Sequence, residues 1–207
     1  MKNMMQQILG NDWDQLPVAL QEHYRAGHTV EHGVMDIEFP LFMVPFLTLL
    51  RLVGALINHA GRAVETKVEK KLVGDRWYWW RTMQYADGRS ARFNSVWMLN
   101  EQRDIVEFVN PYLALTLRPR VEAGRLHLES VCFVIKFGRY VMRVPEWLVL
   151  GRSIIVEEAL EDDLFRMDFK MIHPLLGQIF RYSGQFRVGV GARAGAEAVA
   201  KASIHVD

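Results

Sequence analysis

Four consecutive aromatic residues, Trp77, Tyr78, Trp79 and Trp80, lead directly into Arg81 and make this the densest chemical stretch of the chain. Side chains alternate between the two faces of a strand, so Trp77, Trp79, Arg81 and Met83 fall on one face and Tyr78, Trp80, Thr82 and Gln84 on the other. A guanidinium in line with two tryptophans must be paired, stacked on a ring or close to water, because an unpaired buried charge is very costly. Aromatic walls with one cationic anchor suit a ligand that has an apolar body and an acidic or carbonyl group. The segment 91–97 offers Phe93, Ser95 and Trp97 on one face, and a hairpin through residues 86–90 sets them beside the first row. Trp77, Trp79, Arg81, Met83 and Trp97 are therefore the expected ligand-binding residues. The plainer alternative is a structural arginine at a barrel mouth, paired with an acid such as Glu157 or Asp168.

Other chemistry is sparse. There is no Gly-x-Gly-x-x-Gly after a strand, no phosphate-cradling loop and no Gly-x-Ser-x-Gly elbow. The glycine-rich run at 189–195 opens no βαβ unit. His28 and His32 are four residues apart, a metal-chelating distance on a helix, but they lie in a loop or strand pattern without a third ligand. His23 belongs to a helical segment, and His173 precedes Pro174, where a turn explains it. Glu157, Glu158 and Asp168 could do acid–base work if buried; alternation puts Asp168 opposite an apolar row and so in solvent. No catalytic, metal or cofactor site is expected.

These residues need elements to hold them. Pro17 suits a first helical turn, Leu16, Leu20 and Tyr24 share a face, and Gly27 can end the helix. A strand is expected over 28–39, then an apolar helix over 40–58 in which Phe42, Phe46, Leu49, Leu50 and Val53 repeat at helical spacing. From residue 62 to 188 the period is two: Phe165, Met167, Phe169 and Met171 alternate with Arg166, Asp168 and Lys170. Such alternation marks antiparallel strands with one face buried and one wet. Turn signals at 74–75, 86–88, 110–111, 122–124, 161–163 and 174–177 divide the region into about eight to ten strands. The expectation is a mainly β (α+β) single domain over 1–188. One curved antiparallel sheet closes into a barrel or half-barrel, with a helical segment at 1–27 and the apolar helix packed on or in it as plug or lid. A flexible tail is expected over 189–207.

Composition narrows the class further. Half of the 207 residues are hydrophobic, enough for a core, and 25 Lys+Arg against 24 Asp+Glu leave no basic excess for nucleic acid. Cys132 is the single cysteine, which excludes an internal disulfide and suits a reducing cytoplasm. The apolar stretch 39–57 is interrupted by Arg51, Pro40 and Pro45, too early for a spanning helix. It is read as a buried helix, with membrane-surface contact as the minor alternative.

Several local patterns together resemble the bacterial family named domain of unknown function 4166. They comprise Leu9, Gly10, Leu16, Pro17 and His23; Pro145, Trp147 and Leu148; and, most specifically, Phe165, Asp168, Pro174, Leu175, Leu176, Gly177, Tyr182, Gly184 and Phe186. Trp79, Arg81 and Met83 stand where the family has Trp-x-Arg-x-Phe, with Met replacing the aromatic. Phe93 and Ser95 match a further short pattern. The resemblance implies no chemistry, but in some members this domain is joined to a saccharopine-dehydrogenase-like, nucleotide-binding domain. Here any such reductase would be a separate partner.

The leading expectation is a non-enzymatic binding module for a small apolar or lipid-like ligand inside a β-barrel. The alternative is an accessory domain that docks on an NAD(P)-dependent reductase through helix 40–58. A third reading is a cofactor-independent isomerase or cyclase using His23 or His173 with an acid, which requires those groups to converge in one cleft.

Overall fold

The computed structural model describes residues 3–189, so the tail expected over 189–207 lies, from residue 190 on, outside the described residues. Period-two alternation does what it should in antiparallel sheet. Eleven strands form: β1 (His28–Glu38), β2 (Gly61–Val73), β3 (Arg76–Gln84), β4 (Ser90–Leu99), β5 (Ile105–Phe108), β6 (Leu113–Glu122), β7 (Arg125–Phe137), β8 (Tyr140–Val144), β9 (Arg152–Ala159), β10 (Leu164–His173) and β11 (Gly177–Arg187).

The sheet runs β6-β5-β4-β3-β2-β1-β11-β10-β9-β7, and pairing of β6 with β7 closes it into a ten-stranded antiparallel barrel. Closure removes the sheet edges that would otherwise invite aggregation. Along one edge β7 pairs first with β9, from Leu126 to Glu129, and then with β8, from Phe133 to Phe137. Among the described residues β8 pairs with β7 alone, and the β7 arm of that hairpin, Phe133–Ile135, also pairs with Leu113–Leu115 of β6. Tight contact between β1 and β11 depends on Gly33: a Cβ there would sit 2.1 Å from the Gln185 carbonyl oxygen and 2.6 Å from the Phe186 ring.

The N-terminal segment fills one end. Helix α1 (Met4–Leu9) begins with a capping box, in which the Asn3 side chain accepts from Gln6 N at 2.8 Å and the Gln6 side chain accepts from Asn3 N at 2.9 Å. A 3-10 turn (Gly10–Gln15) and α2 (Val18–His23) follow, ending four residues before Gly27. Met5, Leu20 and Tyr24 are fully buried, so this segment is inserted into the core beside the β6–β7 turn.

The apolar helix behaves differently from expectation. It is α3 (Val44–Leu52), preceded by a 3-10 turn over Leu41–Met43, and it stops well short of residue 58. Gly54, at φ +72°, ends it: Gly54 N bonds to Arg51 O at 3.0 Å and Ala55 N to Leu50 O at 2.9 Å, a Schellman motif. It is not a plug. Leu47 is its one buried residue, whereas Leu49 is 59% and Leu52 79% exposed. It lies across the other end of the barrel, anchored by Arg51 Nη1 to Arg92 O at 3.0 Å and by Asn110 Nδ2 to Val53 O at 2.7 Å. No helix among the described residues is long and apolar enough to cross a membrane.

Candidate functional site

The interior of the barrel is built by the inward phase of each strand. Strand β3 sends in Trp77, Trp79, Arg81 and Met83, and β4 sends in Ser95 and Trp97, with Trp77 opposite Trp97 and Trp79 opposite Ser95. Four of the five expected ligand-binding residues, Trp79, Arg81, Met83 and Trp97, converge on one internal cavity. Trp77 does not reach it; its ring is fully buried against Tyr24, 5.8 Å between centroids.

The cavity is small, about 40 Å³, far below the roughly 300 Å³ at which ligand pockets begin. A ten-stranded barrel should be roomier than this, since eight strands already leave an interior that side chains just fill. The extra width is taken up by four tryptophan and tyrosine rings and by the inserted N-terminal segment. What was expected to be a pocket is mostly packed core.

Arg81 is satisfied without the acids proposed for it. Its Nη1 donates to Ser95 Oγ at 3.0 Å, its Nη2 lies 3.6 Å from Glu107 Oε1, and its guanidinium stacks 5.0 Å from Trp79 and 5.3 Å from Phe93. Asp168 is instead on the outer wall, bound to Arg181 Nε at 2.8 Å and Lys170 Nζ at 2.8 Å. Glu157 points inward, but toward a second group of charges.

That group is the least expected part of the core. Lys70 and Glu31 are paired at its centre, and Lys70 Nζ also donates to the His23 carbonyl. His23 Nδ1 lies 2.9 Å from Glu31 Oε1 and 3.0 Å from Oε2. Two carboxylate oxygens there call for a proton on Nδ1, which donates to Glu31. Lys70 Nζ, 3.0 Å from the same Nδ1, therefore spends its hydrogens on Glu31 and the carbonyl. On the far side Nε2 stands 3.7 Å from Glu157 Oε1, and Tyr24 Oη donates to Glu157 Oε2 at 2.9 Å. Every member is buried.

Burial opposes ionisation of Glu31, but His23 and Lys70 outweigh it and hold the carboxyl below its usual range. Glu157 goes the other way: burial raises it, and His23, Tyr24 and Lys70 compensate only in part. Burial pushes the Lys70 ammonium down against the pull of Glu31, and pushes the Tyr24 phenol well up. Two carboxyl groups on either side of one imidazole thus differ in proton affinity. That is the arrangement in which one group can hold a proton while its neighbour is ionised.

Above the charges lies a second space. An apolar cleft of about 120 Å³ opens at the α3 end of the barrel, between Leu50, Ala55 and Leu56 on one side and Phe133, Ile135 and Leu150 on the other. Phe93, Glu107 and Tyr182 border both the cleft and the inner cavity, so the two are neighbours with that trio as floor. Around the inner cavity, Trp79 Nε1, Trp97 Nε1 and Glu107 Oε1 are buried and make no hydrogen bond. A wider depression of about 690 Å³ lies on the outer wall, but its charges are already joined, Arg181 to Asp168 and Arg166 to Glu158 at 2.5 Å.

The remaining sequence-based candidates separate. His28 and His32 are exposed on β1, where four residues span roughly 13 Å, too far for one ion; among the described residues no His/Cys/Asp/Glu group could hold a metal. His173 ends β10 and accepts from Leu175 N at 3.2 Å, remote from His23. Cys132 is half-buried, its Sγ 3.7 Å from Thr116 Oγ1. Lys70, Glu31 and Glu107 lie outside the sequence expectations, although the inward phase of the first two is legible. Lys70 continues the buried row Val64, Thr66, Val68, and Glu31 shares the phase of Met35 and Ile37.

The family described as Domain of unknown function (DUF4166) matches residues 16–186, and the chain belongs to it. The match takes in α2 and nearly the whole barrel. Comparisons with curated proteins and with solved structures returned no match.

Proposed function

We propose that this protein is a non-enzymatic binding barrel for a small, largely apolar molecule with a polar end, admitted at the α3 mouth. One observation carries the reading: an apolar cleft whose floor, Phe93, Glu107 and Tyr182, is shared with a cavity bordered by the Trp79 and Trp97 indole nitrogens, which make no hydrogen bond. Apolar walls with a few convergent polar groups are what orient a ligand. The cleft volume limits the buried part to a short chain or a ring, and a longer ligand extends from the mouth along the exposed face of α3. Native mass spectrometry of the purified protein, with extraction of bound small molecules, tests the reading. Ala55→Phe fills the cleft without touching the buried charges, and should abolish a ligand that the parent retains. An equal ligand load in the two proteins overturns the proposal.

The His23–Glu157 contact favours a second reading, a cofactor-independent isomerase or cyclase. Here His23 and Glu157, which meet beside the inner cavity, act as a pair on the bound molecule, one taking a proton and the other returning one elsewhere on it. Substrate turnover lost in Glu157→Gln, with ligand binding retained, distinguishes the two.

A further inference from the structure

Chain direction assigns every connection to one end of the barrel or the other, and the two ends differ sharply. The α3 end is made by residues 39–60, 85–89, 109–112, 136–151 and 173–177. The opposite end is made by residues 10–27, 74–75, 100–104, 122–124 and 160–163. The segments of the α3 end contain five Lys/Arg and two acids, whereas those of the opposite end contain ten acids and two Arg, in a chain whose totals are 25 and 24. Strand arginines meet four of those acids, Arg118 at Asp104, Arg120 at Glu122 and Arg187 at Glu161 and Asp163, so the far end keeps a smaller acidic excess than its connections alone carry.

The cationic end is also the greasy one. Leu52 on α3, Phe137 and Tyr140 on the β7–β8 hairpin, Trp147 and Leu148 after β8, and Leu175 in the β10–β11 turn are all 59% or more exposed. In the hairpin, Phe133, Ile135 and Phe137 pair with Val144, Met142 and Tyr140, so one face is entirely apolar. Lys136 and Arg143 lie on the opposite face of the hairpin and Arg139 in its turn, and none of the three has an acidic partner within ion-pair distance among the described residues. Apolar rings at a tip with lysine and arginine beside them is the composition of an interfacial membrane anchor, in which rings sit at headgroup level and cations meet anionic lipid.

We infer that the α3 end docks on the surface of a lipid bilayer containing anionic lipid, with the hairpin 136–143 and α3 inserted and the acidic end held away. A protein partner would fit the exposed apolar area too, but not the opposite polarity of the far end, which orients the barrel only against an extended negative surface. The cleft mouth lies within the docked face. Docking stands independently of whether the cleft holds a ligand: a protein that binds vesicles but extracts nothing retains this inference and loses the one above.

The test is co-sedimentation of the full chain with vesicles of phosphatidylcholine alone and with about a third phosphatidylglycerol, at low and high salt. Binding should require the anionic lipid and weaken with salt. Neutralising Lys136, Arg139 and Arg143 together (each →Gln) should lower partitioning about 100-fold. Phe137→Ser with Tyr140→Ser should also weaken it, at an unchanged melting temperature because both residues are exposed. Trp147 emission should shift to shorter wavelength on binding, a shift absent in Trp147→Phe. Failure of the folded parent to bind either vesicle overturns the inference. So does a stable oligomer that Phe137→Ser dissociates, which would make this face a protein interface.

Discussion

Glu31 on β1 and Lys70 on β2 form an ion pair at the centre of the barrel, with side-chain exposures of 1% and 0%. Such a pair is weak evidence for stability, since desolvation offsets most of the attraction, but breaking it is expensive because the survivor stays buried. Lys70→Met should therefore destabilise the fold by about 3–5 kcal/mol, read as a lower denaturant midpoint. The double variant Lys70→Met, Glu31→Leu should lose less than the sum of the single losses. Additive losses would mean that the two side chains are not coupled.

The two buried glutamates predict opposite pH limits. Glu31 is held below its ordinary value in the folded state, so its contribution is present at neutral pH and is lost as pH falls through the acidic range. Glu157 is raised, so the folded state holds its proton more tightly than the unfolded one, and stability declines as pH rises above the ordinary carboxylate range. Glu157→Gln keeps an acceptor for Tyr24 and should flatten that decline while leaving the acid limb in place. Melting temperature against pH for the two proteins checks this, and parallel curves would refute the assignment.

Helix α3 should tolerate change on one face only. Leu47 is fully buried and Leu49 is 59% exposed. Leu47→Ala should cost about 2–5 kcal/mol and Leu49→Ser less than about 0.5 kcal/mol. Comparable losses from the two would place α3 inside the barrel after all.

Gly33 should accept no side chain. Its virtual Cβ meets a backbone carbonyl at 2.1 Å, and a carbonyl in a sheet cannot swing aside. Gly33→Ala should destabilise by more than about 2 kcal/mol; a melting temperature within a degree of the parent would show that β1 and β11 can separate there.

Most of the architecture was legible because strand periodicity is local. The alternation of Phe165, Phe169 and Met171 with charged residues fixes which face of β10 is inside, and repeated over eleven strands it leaves little choice but closure. The same rule applied to β2 puts Lys70 inside with Val64 and Val68, although a lysine side chain ordinarily faces solvent. Its partner was harder to see, because Glu31 meets Lys70 only through the β1–β2 register. Arg81 was recognised as a charge in need of company, but Glu107 belongs to a strand of four residues, and nothing local joins it to Arg81. Helix 40–58 was misjudged for a different reason: an apolar sequence says what a face avoids, not whether this chain supplies its cover.

The central claim, that the mouth beneath α3 admits an apolar molecule, is tested most directly by titrating the protein with a neutral solvatochromic dye. The parent should show saturable binding of one equivalent, and Ala55→Phe, with its melting temperature preserved, should show none. Undiminished dye binding in Ala55→Phe, or no saturable binding in the parent, would contradict it.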